Sequence, residues 1–348
     1  MGESSISLTT ISRRNVLRAA AAGAGAFAIA GPAVVRPARS DAATAFYKGA
    51  DISWAQQMEA QGYYWKNSSG VKQDIFTILK GYGISAIRLR TFVNPSSDPA
   101  NGHCSISETA AMAVRAKDAG MAVDIDYMFG DTWNSVGVQN PPSAWKNMSY
   151  SQMRSAMSSY VTSSMTVVKN AGVTPMWVQI GNEINSGICH PVGTVSNPGQ
   201  MTGLLNAAHD AVKNVFPSAL VMIHLAQPQK YPSMQTFFSG FHGNGGKWDM
   251  NGFSSYGSAS VAAGIVGNMK SISDAYGKPY MQVEFGGQVG SPSSTESALK
   301  AYISALQSNG GQGLLYWEPE GYSPFTDYTM GAWNSSTREP TSALDGFR

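Results

Sequence analysis

Cysteine is almost absent from this chain: Cys104 and Cys189 are the only two in 348 residues. Two cannot staple a disulfide scaffold, and they lack the close spacing of a zinc site. Both fall in loops expected on one face of the fold, so a single bridge in an oxidising compartment and a pair of free thiols are both open. His103 and His190 stand beside them, but no helix or strand fixes their geometry and no metal site is expected. Charge is scarce as well. Only 13% of residues are charged, and 24 Lys+Arg against 22 Asp+Glu leave a formal +2. The basic residues form no stripe beyond the N-terminus, which excludes the electrostatic footprint of a nucleic-acid binder and points to an uncharged partner. A phosphate loop is also missing. Gly277-Lys278-Pro279 precedes a strand instead of opening a helix, and Gly23-Ala24-Gly25 has neither a strand before it nor an acidic residue suitably placed after it.

The first forty residues differ from the rest. Ser12-Arg13-Arg14-Asn15-Val16-Leu17-Arg18 precedes a weakly apolar, Ala/Gly-rich run at 19–35, followed by Arg36 and the small residues of Ser40-Asp41-Ala42. This resembles a twin-arginine export signal. Gly23, Gly25, Gly31 and Pro32 make the run a poor membrane-spanning helix. The expected organisation is an export signal at 1–42 and one catalytic domain at 43–348, acting outside the cytoplasm as a monomer with no membrane anchor.

With 43% apolar residues the chain can bury a large core. From Thr44 onward, short apolar strands alternate with segments of helical period. The strands read at 47–53, 86–93, 121–129, 174–183, 220–226, 249–256, 279–285 and 312–318. Helix starts are marked by Ser105 with Glu108, by Ser293 with Glu296, and by Asn197 before Pro198. Gly83, Gly120, Gly172, Gly277 and Gly310 each stand between a helical pattern and a strand, where a left-handed cap is needed. Such repetition argues for parallel βαβ units, and eight of them in about three hundred residues fit a closed (β/α)8 TIM barrel better than an open doubly wound sheet.

Barrel enzymes carry their chemistry at the C-terminal ends of strands. The fourth strand ends in Asn182-Glu183 and the seventh in Glu284. Two carboxyl groups on opposite walls can supply a proton to a leaving oxygen and a nucleophile to an anomeric carbon, which is what glycosidic cleavage requires. Either Glu alone is weak evidence, since a strand-end Glu is often only a cap or an ion-pair partner. The pair, with Asn182 beside the first, is not.

At these residues the sequence resembles glycoside hydrolase family 53, the endo-β-1,4-galactanases. The resemblance rests on Gly49-Ala50-Asp51-Ile52-Ser53, Ile87-Arg88-Leu89-Arg90, Val93-Asn94-Pro95, Asp131-Thr132-Trp133, Val178 to Asn185, His224-Leu225-Ala226 and Tyr316-Trp317-Glu318-Pro319. It runs in order from about Gly49 to Phe347. It implies a retaining barrel hydrolase with Glu183 as acid/base, Glu284 as nucleophile, Asn182 on the sugar 2-hydroxyl, Arg88 holding the nucleophile ionised and Tyr256 orienting it. Arg88 and Arg90 point to the same side of their strand, so one of them can instead satisfy a buried carboxylate such as Asp126. Trp133 and Trp317 suit stacking against sugar faces, and Asp51, Asp126, Asp131, His224 and Glu318 are candidate readers of hydroxyls.

The chain departs from the family pattern at Tyr127-Met128-Phe129-Gly130, at Ser255-Tyr256-Gly257-Ser258 and at Phe285-Gly286-Gly287. These departures spare the catalytic pair and fall where a substrate would lie. The expected substrate is β-1,4-galactan or arabinogalactan. Another β-linked plant polysaccharide and a non-catalytic carbohydrate-binding barrel are the competing readings. No cofactor and no metal are expected, because the stretch from Gly286 to Pro292 holds no Asp or Glu to ligate a hard cation.

Overall fold

The computed structural model describes residues 45–96 and 103–348, and the expected export signal at 1–42 lies outside them. Eight parallel strands close into a barrel in chain order: β1 (Tyr47–Asp51), β2 (Ala86–Thr91), β3 (Ala122–Tyr127), β4 (Trp177–Gln179), β5 (Leu220–Ala226), β6 (Met250–Ser254), β7 (Tyr280–Phe285) and β8 (Gly313–Trp317), with β8 pairing back onto β1. Around it lie α1 (Ala55–Ala60), α2 (Ile75–Gly81), α3 (Ile106–Asp118), α4 (Tyr150–Asn170), α5 (Pro198–Val215), α6 (Tyr231–Gly243), α7 (Ala262–Ala275) and α8 (Pro292–Ser308). A 3-10 turn, Ser342–Phe347, takes the place of a helix after β8. The expected TIM barrel is therefore the observed fold.

Local chemistry explains the element ends. Ser105 and Glu108 form the expected capping box on α3, and Asn197 caps α5 ahead of Pro198. The box expected at Ser293 does not form: Pro292, with its fixed φ, takes the first helical position, and Glu296 pairs with Lys300 instead. All five glycines expected before strands have positive φ, as at Gly83 after α2, where φ is 84°. Most strands are shorter than the sequence suggests, β4 most of all. Its ladder stops at Gln179, and the chain beyond turns through Gly181 at φ 117° and Glu183 at φ 49°. Two small antiparallel hairpins, Trp65–Lys66 with Lys72–Gln73 and Gly187–Ile188 with Gly193–Thr194, left no trace in the apolar rhythm because each strand has only two residues.

Alternation along the strands sorts the core. Outward residues such as Ile87, Leu89, Val123 and Ile125 join Met112, Met157 and Val161 of the helices in one large cluster. Inside the barrel, Ala86, Trp177, Met222, Met250, Met281, Val283 and Leu315 form a separate apolar plug. Above it the interior turns ionisable: Arg88, Arg90, Asp51, Asp124, Asp126, Gln179 and His224 are all buried. The plug seals the floor, and the charged layer faces the strand ends where loops can form a cleft.

Candidate active site

Backbone irregularities aim the two candidate carboxylates inward. Met281 and Val283 both belong to the interior plug, so strict alternation would turn Glu284 outward. The pairing of β6 with β7 slips between Phe253 and Ser254, and that of β7 with β8 slips between Gln282 and Phe285. These irregularities re-aim Glu284 into the barrel. Glu183 arrives differently, from a left-handed backbone (φ 49°) that costs a non-glycine residue about 1 kcal/mol or more. Gln139 stabilises that turn by donating to the carbonyls of Asn182 and Glu183 at 2.8 and 3.3 Å. As a result, oxygens of Glu183 and Glu284 and a ring nitrogen of His224 all lie within 4.8 Å of one another.

Glu284 is the most tightly held member. Arg88 Nη1 sits 2.8 Å from its Oε1, and the Tyr256 hydroxyl donates to its Oε2 at 2.8 Å. Arg88 also reaches Asp51 at 2.7 Å, Asp126 at 3.0 Å and Asn182 Oδ1 at 2.9 Å. One guanidinium thus ties the nucleophile position to the acid/base segment. Arg88 does both things the sequence left open, since it satisfies Asp126 as well as facing Glu284. Arg90 is committed elsewhere, ion-paired with Glu318 and lying 4.2 Å from the Trp133 ring centre.

Glu183 has the environment of a proton donor. Burial, reinforced by the charge of Glu284, pushes its carboxyl up to about 7, against the opposing pull of Ser254, the Val136 N–H and Arg88. The Val136 N–H points at Oε2 from 3.4 Å. Tyr256 is 39% exposed along its ring, but burial of its hydroxyl end and the charge of Glu284 raise its phenol well above the ordinary value, so it stays a donor. The imidazole of His224 is driven well below its usual range by burial and then by Arg88, which keeps it neutral. Its Nδ1 accepts from the Glu183 N–H at 3.4 Å, and its Nε2 faces the Ser254 hydroxyl at 2.5 Å. Both ring nitrogens are therefore engaged, so the Glu183, His224 and Glu284 trio is poorly suited to a cation despite its compactness.

Several expected hydroxyl readers are enclosed by the barrel. Asp51, Asp126, His224 and Glu318 are fully buried. They contact Arg88, Arg90 and the Glu183 backbone. Asp131 turns into its own loop and accepts from the Ser143 N–H at 2.8 Å. Cys104 and Cys189 are both buried and unpaired, with thiols directed at the carbonyls of Ser53 and Phe129. Trp133 and Trp317 pack edge to face, with ring centres 5.9 Å apart and planes at 66°. Trp54 and Tyr328 complete this aromatic cluster.

Trp54, at the start of α1, carries no charge and gave no chemical signal in the sequence. Ser254 gave no signal at all, since a strand-end serine looks like any turn residue. A cavity of about 530 Å³ opens beside Glu183, lined among others by Ser135, Val136, Gln227, Ser254 and Tyr256.

Comparison with known proteins identifies the family. Glycosyl hydrolase family 53 matches residues 47–345. The chain is 28% identical over 340 residues to a probable arabinogalactan endo-β-1,4-galactanase A from Aspergillus fumigatus, covering 88% of this chain and 94% of that one. An arabinogalactan endo-β-1,4-galactanase from Thermothelomyces thermophilus is 27% identical over 300 residues, covering 78% of this chain and 89% of that one. Among solved structures, the family 53 catalytic domain of Ignisphaera aggregans superposes with a TM-score of 0.80 at 26% identity, covering 88% of this chain and 96% of that one.

Proposed function

The chain belongs to glycosyl hydrolase family 53 and is a glycoside hydrolase, and on that premise we propose that it cleaves β-1,4-galactan internally by double displacement, with Glu284 as nucleophile and Glu183 as acid/base. The observation that carries this reading is the spacing of the pair. Their oxygens approach within 4.8 Å, which leaves no room for the intervening water of an inverting enzyme and suits direct attack.

In the first step Glu284 attacks the anomeric carbon while protonated Glu183 gives its proton to the departing glycosidic oxygen. The aglycone leaves, and an α-linked glycosyl ester remains on Glu284. The Glu183 carboxylate then takes a proton from a water that attacks the same carbon, releasing a β-configured product and restoring both groups. Asn182, anchored by Arg88 through Oδ1 and donating to the Asn134 carbonyl through Nδ2, keeps a second amide hydrogen for the sugar 2-hydroxyl.

The substrate assignment is supported by the galactanase relatives and by the half-buried rings of Trp133 and Trp317. Axial O4 linkages curve a galactan chain, and rings set at 66° offer successive sugars differently oriented apolar faces, as a flat row could not. Export fits a polymer too large to enter a cell, and the Arg13-Arg14 segment is the proposed signal. The enzyme is expected to act as a monomer without cofactor. The test is incubation with debranched galactan, mannan, xylan and mixed-linkage glucan. Early appearance of mixed galacto-oligosaccharides supports the reading, whereas galactose alone or faster cleavage of another polymer rejects it.

A further inference from the structure

Ser254, at the end of β6, contacts His224 directly and lines the same cavity as Glu183. The direction of its proton follows from its neighbours. A backbone N–H can only donate, so the Glu183 N–H fixes His224 Nδ1 as an acceptor. Neutral His224 must then carry its single ring proton on Nε2, 2.5 Å from Ser254 Oγ. That proton fills the acceptor side of the hydroxyl, leaving its own proton to point away from the imidazole. Ser254 lines the same cavity as Glu183. We propose that Ser254 is a positioning residue of the acid/base: its hydroxyl, polarised by His224, donates to the Glu183 side chain and closes a ring that runs from the Glu183 backbone through imidazole and hydroxyl back to the Glu183 carboxyl.

The ring has a chemical consequence. It steadies the charged form of Glu183, the form that must take a proton from water in the second step, and a fully buried neutral imidazole can do this without itself changing charge. The interaction with Ser254 accordingly lowers the Glu183 carboxyl against burial and Glu284. The other groups facing Glu183 are Glu284 from β7, Arg88 from β2, His224 from β5, Tyr256 from the loop after β6 and the Val136 N–H from the loop after β3. Of these, His224 alone contacts the Ser254 hydroxyl and loses a partner with it, while remaining neutral.

The inference rests on Glu183 as the acid/base, and its test reads the carboxyl directly. Protein labelled with ¹³C at the glutamate carboxyl is titrated by NMR, with the Glu183 signal identified by its loss in Glu183→Gln. Ser254→Ala should raise the Glu183 midpoint by about one pH unit, the worth of one hydrogen bond to a charged group, and Ser254→Thr should restore it. The basic limb of kcat/KM should move the same way. Ser254→Gly provides a second hydroxyl-free variant should Ala pack poorly. An unchanged or lowered midpoint in a folded Ser254→Ala protein, or Thr behaving like Ala, overturns the inference. The expected rise in Ser254→Ala, found alongside a wild-type protein that cleaves no glycan, would instead reject the functional reading and leave the ring standing.

Discussion

Tyr256 donates its phenol hydrogen to Glu284 Oε2 across 2.8 Å, on the side of the carboxylate opposite Arg88. The nucleophile is therefore clamped from both sides, with one oxygen neutralised and the other oriented. Replacing Tyr256 by Phe removes one charge-assisted hydrogen bond. The loss should be about 10- to 100-fold in kcat with a much smaller change in KM. A change confined to KM would make Tyr256 a substrate contact.

The two glutamates should respond differently to azide. With an activated β-galactoside, Glu183→Ala should still form the glycosyl ester and yield a β-glycosyl azide, because small azide needs no general base. Glu284→Gly should yield the α-azide by direct attack from the vacated side. Product anomers assigned by NMR decide this, and the reverse pattern would exchange the assignments.

Activity should fall on the alkaline side as Glu183 loses the proton it must donate. Its carboxyl is held up to about 7 by burial and by Glu284, so kcat/KM should decline tenfold per pH unit above roughly that point. A profile flat to pH 9 would remove Glu183 from the role of acid.

Thermal stability should decline over the same range. Burial raises Asp124 to about 6, Glu318 to about 7 and Asp126 to about 8, and it raises Glu320 well above the carboxyl range. Each group keeps in the folded state a proton that the unfolded chain has released, so its contribution is full below the unfolded carboxyl value and is lost as pH rises through the folded one. Each retained proton is worth about 1.4 kcal/mol per pH unit. His224, depressed by burial, works in the opposite direction, but only below its unfolded value near ~6.5. The net expectation is a falling Tm between pH 6.5 and 8.5. Glu320 is held protonated by burial and then by the adjacent Glu318, so Glu320→Gln should flatten that slope. A Tm that rises with pH would contradict the account.

What the sequence made legible was periodic or chemically unusual. The barrel followed from eight apolar strands separated by glycine-capped helices, and Glu183 and Glu284 stood out as carboxylates at strand ends. What it hid depended on irregular backbone. The slip that turns Glu284 inward and the left-handed turn at Glu183 obey no sequence period. Burial was the second blind spot: Asp51, Asp126 and Glu318 look like sugar-binding acids until the barrel closes over them and pairs them with arginine. Cys104 and Cys189 were ambiguous for the same reason, since only the folded chain shows their thiols aimed at separate carbonyls.

The most direct test of the account is the anomeric configuration of the first product. Proton NMR of debranched β-1,4-galactan during the initial minutes of hydrolysis should show β reducing ends appearing first, with α signals growing only as mutarotation proceeds. An initial α product would require water between the two carboxylates, a separation that oxygens within 4.8 Å do not provide, and would contradict double displacement.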